Sequence, residues 1–293
     1  MIVLPGTRSR RLGKRLAERL GSDIITPEVD TFPDGEVYVR VPERLDGETV
    51  VVVQTTLGND RIMEALLLLD AARAQGAERV IAAVPYYSYS RQDQRFKDGE
   101  AFSSHVVARA LSLDADVLLT VDPHKEHILD GFTGETLSVS AIPEIAAHLK
   151  SQNVDLVLAP DKGALDRAKE AAQVLGCEHD HLEKTRLSGD EVVMKAKHLD
   201  VKGRTVAIID DIISTGGTMA KATGHLMDQG ATKVYCAATH GLFVGNASRR
   251  LMEKGVAAVI VTDTIERDES VISAAPAVER GLRRLLGLKE ATV

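Results

Sequence analysis

Short apolar runs alternate along the chain with longer stretches in which apolar positions return every three or four residues. Runs of β-branched and aliphatic residues bounded by turn formers read as buried strands, and the longer stretches read as amphipathic helices. The pattern predicts strands over 50–54, 79–84, 116–121, 155–160, 205–210, 233–238 and 257–262, with a weakly alternating hairpin strand over 37–41. Helices are predicted over 60–75, 103–111, 164–175, 217–229 and 247–254. In the first of these, Ile62, Met63, Leu66, Leu67 and Asp70 keep helical spacing and Gly76 follows as a C-cap. Strand, helix and strand in repeated succession define an α/β protein with mostly parallel sheets.

The series runs twice. A strand over 48–54 followed by a helix has its counterpart in 204–210 followed by a helix, which implies two similar halves, 1–142 and 143–293. They join near 140–150, where Pro143 marks a boundary. A tail helix over 276–286 packs on one half or the other; the pattern leaves the choice open.

Composition narrows the function classes. At 293 residues the chain can bury two ordinary cores. A net charge of −7 and 3% aromatic residues without Trp argue against nucleic acid as a partner. Cys177 and Cys236 stand apart without a C-x-x-C and read as small core residues in a reducing compartment. The apolar start of the chain is too short for a signal peptide, and no run is long enough to span a bilayer, so a cytoplasmic location is expected.

The chemistry concentrates in Val206-Ala-Ile-Ile-Asp-Asp-Ile-Ile-Ser-Thr-Gly-Gly-Thr218. Gly216 and Gly217 allow the backbone to approach an anion, while Ser214, Thr215 and Thr218 offer hydroxyl donors at the start of a helix. The adjacent Asp210 and Asp211 accept hydrogen bonds and suit the vicinal hydroxyls of a sugar. A sugar-phosphate site follows. No Walker loop and no dinucleotide fingerprint occurs in the chain.

Other segments are less specific alone. Phe32-Pro-Asp-Gly-Glu36 is a turn signature, either a plain hairpin or a base-and-ribose contact through Phe32, Asp34 and Glu36 with Gly35 at positive φ. Arg91, Gln92 and Asp93 follow a strong strand, and Arg91 can fork two N–H groups onto phosphate oxygens. His124 stands just beyond another strand's carboxyl end, where open sheets place ligands, while His127 is a supporting residue or plain helix surface. Asp161 is a hard oxygen ligand suited to Mg²⁺ or an ordinary N-cap, with equal weight. Lys184 and Arg186 lie in a polar connection that reads as a solvated charge run or as a mobile loop closing on a phosphate.

The 206–218 string resembles the phosphoribosyl-diphosphate loop of the phosphoribosyltransferase fold. Taken with the other five segments, and with Thr239-His-Gly-Leu-Phe243 and Thr262-Asp-Thr-Ile265, it gives most of the chain a resemblance to the ribose-phosphate diphosphokinase family. The resemblance implies two phosphoribosyltransferase-like domains, Mg²⁺, and conversion of ATP and ribose 5-phosphate into AMP and 5-phosphoribosyl 1-diphosphate. It also implies a homo-oligomer, a dimer or larger, with ATP sites shared between subunits. Carried onto this sequence, it places Phe32, Asp34, Gly35, Glu36, Arg91, Gln92, Asp93 and His124 at ATP, and His124 and Asp161 at metal. Lys184 and Arg186 become the catalytic cations. Arg186, Asp210, Asp211, Ser214, Thr215, Gly216, Gly217 and Thr218 become the ribose 5-phosphate site. The wording of 94–100 and 122–125 departs from many bacterial and animal members and is nearer to archaeal-type ones. A base-attaching phosphoribosyltransferase would explain 210–218 but give the first half no purpose. A non-catalytic regulatory relative would not need Lys184, Arg186 and the intact loop.

Overall fold

The computed structural model describes residues 1–188, 191–196 and 200–289, with side chains throughout except at 184–188 and 191–196. The chain forms two compact units. One comprises Met1–Ser140, Asp263–Glu266 and the chain from Ser273 onward; the other comprises Ala141–Thr262 and Arg267–Ile272.

The first unit opens with β1 (Ile2–Pro5), α1 (Arg10–Leu20), β2 (Asp23–Ile24) and a hairpin of β3 (Glu28–Thr31) and β4 (Val37–Arg40). It continues with β5 (Thr49–Val53), α2 (Asn59–Ala74), β6 (Arg79–Val84), α3 (Ser103–Leu111), β7 (Val117–Val121), a short 3₁₀ turn at Glu126–Gly131 and β8 (Glu135–Val139). Six strands form a parallel sheet in the order β2-β1-β5-β6-β7-β8. Alternate residues choose the face: Leu4, Val50, Val52, Val80, Ala82 and Leu118 meet Leu68, Leu69 and Leu111 in one core. Both faces of β5, β6 and β7 are buried, which is why their sequences are continuous apolar runs rather than alternating ones.

The second unit contains α4 (Ile142–Leu149), β9 (Leu156–Ala159), α5 (Leu165–Leu175), β10 (Glu178–Ser188), β11 (Glu191–Ala196) and β12 (Thr205–Ile213). Then come α6 (Gly217–Asp228), β13 (Lys233–Gly241), α7 (Ala247–Glu253), β14 (Ala258–Thr262) and β15 (Ser270–Ile272). Its sheet runs β11-β10-β9-β12-β13-β14-β15, parallel except for the β10–β11 pair. Without β11, this order matches the first sheet strand for strand. The α/β class with two mostly parallel, helix-flanked sheets is as expected.

Two local results differ from the sequence pattern. The segment around Pro143 is a helix, because proline in the first turn gives up only an N–H that has no partner there. The strand predicted over 205–210 runs on to Ile213, since Ile212 and Ile213 continue the pairing with β13, so Asp210 and Asp211 lie inside the strand.

The last helix, α8 (Ala275–Leu286), belongs to the first unit and packs on α1, β7 and β8. Buried Glu279 accepts from Arg19 at 2.5 Å and from Arg283 at 2.8 Å. Asp263, 1% exposed at its side chain, pairs with Arg15 at 2.6 Å and accepts from the Ala274 N–H at 2.7 Å. A Cβ on Gly281 would stand 2.5 Å from Val139 Cγ1 and 3.2 Å from Leu119 and Leu137 methyls. The helix therefore seats only where no side chain intervenes. Among the described residues, no helix is long and apolar enough to cross a membrane.

Gly281→Val is expected to destabilise the protein by roughly 1–3 kcal/mol through overpacking against β7 and β8. Urea unfolding at equilibrium measures this, and an unchanged midpoint would show that the helix can shift without loss.

Candidate active site

In the second unit the chemistry gathers where β12 gives way to α6. Asp211 is 4% exposed, and Arg167 of α5 lies 3.8 Å from its carboxylate. The Asp211 N–H donates to Asp210 Oδ1 at 2.9 Å. Burial, and then the neighbouring charge and hydrogen bond of Asp211, push the Asp210 carboxyl up to about 8, with Arg167 acting weakly the other way. The shift favours the protonated form of this carboxyl. A carboxyl pair with one proton can both donate to and accept from hydroxyl groups, which two carboxylates cannot.

Beyond Ile213, residues 214–216 turn the chain into α6. Gly216 sits at φ +69° as the residue before the helix, a left-handed conformation that glycine tolerates. A Cβ there would approach Ala247 O and Leu251 to 3.3 Å. The loop backbone is braced from outside: the Val244 N–H donates to Ser214 O at 3.0 Å, and Arg250 donates to Thr215 O at 2.6 Å. No side chain caps α6, so its first N–H groups remain directed at the loop side. Ser214 and Gly217 are half-buried and Thr215 and Thr218 exposed. This is the geometry of an anion cradle at a helix N-terminus.

Asp161 follows β9, and its carboxylate accepts the Gly163 N–H at 2.8 Å, so it caps the short 3₁₀ turn Lys162–Ala164. Lys184 and Arg186 lie on β10, paired with Met194 and Val192 of β11. The backbone there is a two-stranded ribbon rather than the loop expected from the polar sequence; the two side chains lie outside the described residues. Before them, buried His181 stands between Asp180 at 3.5 Å and Glu183 at 3.7 Å.

In the first unit, Phe32, Asp34, Gly35 and Glu36 form the exposed turn joining β3 to β4. The Phe32 N–H donates to Glu36 O and the Gly35 N–H to Phe32 O, both at 2.8 Å, with Gly35 at φ +94°. The Glu36 N–H donates to Asp34 Oδ1 at 3.1 Å, and the 51% exposed Phe32 ring meets Tyr38 edge-on. Arg91 is exposed, while Gln92 and Asp93 are half-buried in the loop that follows β6. Half-buried His124 follows β7 after Asp122, a buried residue at φ +38°. Tyr89, at φ +61°, donates its hydroxyl to Asn59 Oδ1 at 2.7 Å. Left-handed backbone at two non-glycine residues marks this sheet edge as one whose shape is imposed by more than local preference.

Arg167 and Arg250 are participants that the sequence pattern did not single out. Each acts on a residue far away in the chain, and an arginine on a helix carries no local signal of that.

For a divalent cation, the donor set is sparse. Among the described residues no cluster of three or more His, Cys, Asp or Glu could hold a metal. Mg²⁺ commonly takes one or two carboxylates and completes its shell with water and substrate phosphates. The exposed Asp161 carboxylate, with one oxygen used by Gly163, fits that role; the imidazole of His124 is a softer donor and fits less well.

Two sheets of matching order, one of them with paired aspartates leading into a hydroxyl-and-glycine loop, define a duplicated phosphoribosyltransferase-type protein. Residues 1–113 match the family described as the N-terminal domain of ribose phosphate pyrophosphokinase, and residues 133–278 match the phosphoribosyl transferase domain. The ribose-phosphate pyrophosphokinase of Methanopyrus kandleri is 48% identical over 98% of this chain and 100% of its own length. That of Pyrococcus furiosus is 43% identical over 95% of this chain and 99% of its own. The crystal structure of phosphoribosylpyrophosphate synthetase from Mycobacterium smegmatis superposes with a TM-score of 0.85 at 31% identity, covering 98% of both chains. The chain belongs to the ribose-phosphate pyrophosphokinase family, with the archaeal likeness that its sequence suggested.

The raised Asp210 carboxyl gives a stability prediction. A folded-state value of about 8, above the ordinary 3.8, means the folded protein keeps a proton that the unfolded chain releases. That contribution is complete at low pH and is lost as pH rises through about 8. The wild type is expected to lose melting temperature from about pH 5 to about pH 9 more steeply than Asp210→Asn, which stays neutral. Parallel melting curves across that range would remove the proton from the pair.

Proposed function

We propose that this chain transfers the diphosphoryl group of ATP to the C1 hydroxyl of ribose 5-phosphate, forming 5-phosphoribosyl 1-diphosphate and AMP for nucleotide biosynthesis. The observation that carries this reading is the adjacent Asp210–Asp211 pair leading through a glycine turn into the start of α6, in a chain whose residues 1–113 match the N-terminal domain of ribose phosphate pyrophosphokinase and whose residues 133–278 match the phosphoribosyl transferase domain.

In this reading the sugar phosphate sits on Ser214, Thr215, Gly216, Gly217 and Thr218, with Arg186 nearby, and Asp210 and Asp211 hold the ribose hydroxyls. Arg250 and Val244 keep the cradle open by fixing its carbonyls away from the phosphate. Phe32, Asp34, Gly35, Glu36, Arg91, Gln92, Asp93 and His124 hold ATP. The C1 hydroxyl oxygen attacks the β-phosphorus in line; the new bond is C1–O–Pβ, the hydroxyl proton is released to water, the bond from Pβ to the α,β-bridging oxygen breaks, and AMP departs with that oxygen. Such transfer needs positioning and charge neutralisation rather than a covalent intermediate. Lys184 and Arg186 neutralise the charge on the transferred group. Mg²⁺ at His124, bound directly or through water, and a second Mg²⁺ near Asp161 would offset the phosphate charge of the substrates. The domain division at 142 and 143, a cytoplasmic location, and a homo-oligomer whose copies share the ATP site through the Phe32 turn are parts of the same proposal.

Incubation with Mg²⁺, ATP and ribose 5-phosphate should yield AMP only when the sugar phosphate is present. Formation of ADP, or nucleotide binding without turnover, would overturn the reading. Lys184→Ala is expected to lower kcat on the order of 10²–10³-fold, the scale of losing one charge-stabilising donor. An unchanged kcat would remove Lys184 from the chemistry while leaving the reaction in place.

A further inference from the structure

The loop that follows β6 closes largely upon itself. The Glu100 carboxylate accepts the Phe96 N–H at 2.8 Å, the Lys97 N–H at 3.1 Å and the Gln92 side-chain amide at 3.4 Å. Arg95 donates to Glu100 O at 3.0 Å. Such a loop keeps its own shape, but its orientation depends on the few bonds that tie it to the rest of the unit. Ser104 of α3 donates to Gln92 O at 3.1 Å. A further tie, close to Gln92, comes from His127, whose Nε2 lies 2.9 Å from Asp93 O and 3.7 Å from the Asp93 carboxylate. A carbonyl oxygen only accepts, so His127 carries its proton on Nε2 and donates it. By the same argument, His105 Nε2 donates to His127 O at 3.1 Å, and the His105 ring stacks on Phe102 at 3.6 Å. Two histidines thus connect one end of the loop, at Asp93, with the other, at Phe102.

We propose that His127 is a positioning residue for the nucleotide: by holding Asp93, it fixes the Arg91–Gln92–Asp93 turn relative to the segment that carries His124. The proposal rests on the reading that this turn contacts ATP. His127 lies three residues beyond His124 on one short segment, so its bond to Asp93 makes the two nucleotide-side groups a single body. Its side chain is 49% exposed, so removing it opens no cavity and leaves the core intact.

The test uses the full-length protein with Mg²⁺, ATP and ribose 5-phosphate. His127→Ala should raise the KM for ATP by about 3- to 10-fold, the scale of one lost hydrogen bond. The KM for ribose 5-phosphate and the melting temperature should stay the same. His127→Gln, which keeps a side-chain N–H donor, should restore the KM for ATP to within about twofold of wild type. An unchanged KM for ATP in the alanine variant, a parallel rise in both KM values with a lower melting temperature, or no rescue by glutamine would each overturn the proposal. Arg91→Ala separates it from the underlying assignment. If that variant leaves the KM for ATP unchanged, the nucleotide site is wrongly placed and the proposal falls with it. If it raises the KM while His127→Ala does not, only the positioning role fails.

Discussion

A parallel sheet must be covered on both faces, and that requirement decides where chemistry can occur in this protein. Apart from β11, the strands of each sheet run parallel, so their carboxyl ends, and the loops that leave them, gather at one edge. In the second unit that edge carries Asp161 after β9, the 214–216 turn after β12 and its bracing residues after β13. In the first it carries Gln92 after β6 and His124 after β7. The apolar cores leave these groups few polar neighbours, so burial, with the adjacent Asp211, raises the Asp210 carboxyl.

Comparing the two units shows what the sugar-phosphate site adds to a shared scaffold. At equivalent positions, β12 ends in paired aspartates and a glycine turn, whereas β5 leads through Gln54, Thr55 and Thr56 to Gly58. In the first unit Glu64 fills the interior beside that turn, accepting the Thr7 N–H at 2.6 Å and Arg61 at 2.7 Å. Both helix starts, α2 after Gly58 and α6 after Gly216, lack a side-chain cap, so the two halves differ in the residues that lead into the helix and in what lies beside the turn.

Much of the fold was legible because buried strands are spelled locally. Arg79–Val84 and Ser103–Leu111 coincide with the sequence pattern, and the paired aspartates and glycine turn stand within a few residues of one another. What escaped was either short or nonlocal. The strand β2 has two exposed residues, and α1 is so rich in arginine and lysine that only Leu12, Gly13, Leu16 and Ala17 form its buried stripe. Pro143 suggested a break where it begins a helix. The 3.8 Å approach of Arg167 to Asp211, the grip of Arg250 on Thr215 and the bond from His127 to Asp93 join residues 44, 35 and 34 positions apart, beyond any local signal.

The placement of α8 has a consequence for how the molecule is made. The helix that covers β7 and β8 is encoded after the entire second unit, so a nascent chain must hold the first sheet partly bare until its closing helix emerges. Synthesis from one end therefore cannot complete the cover of the first sheet before the second unit has been made.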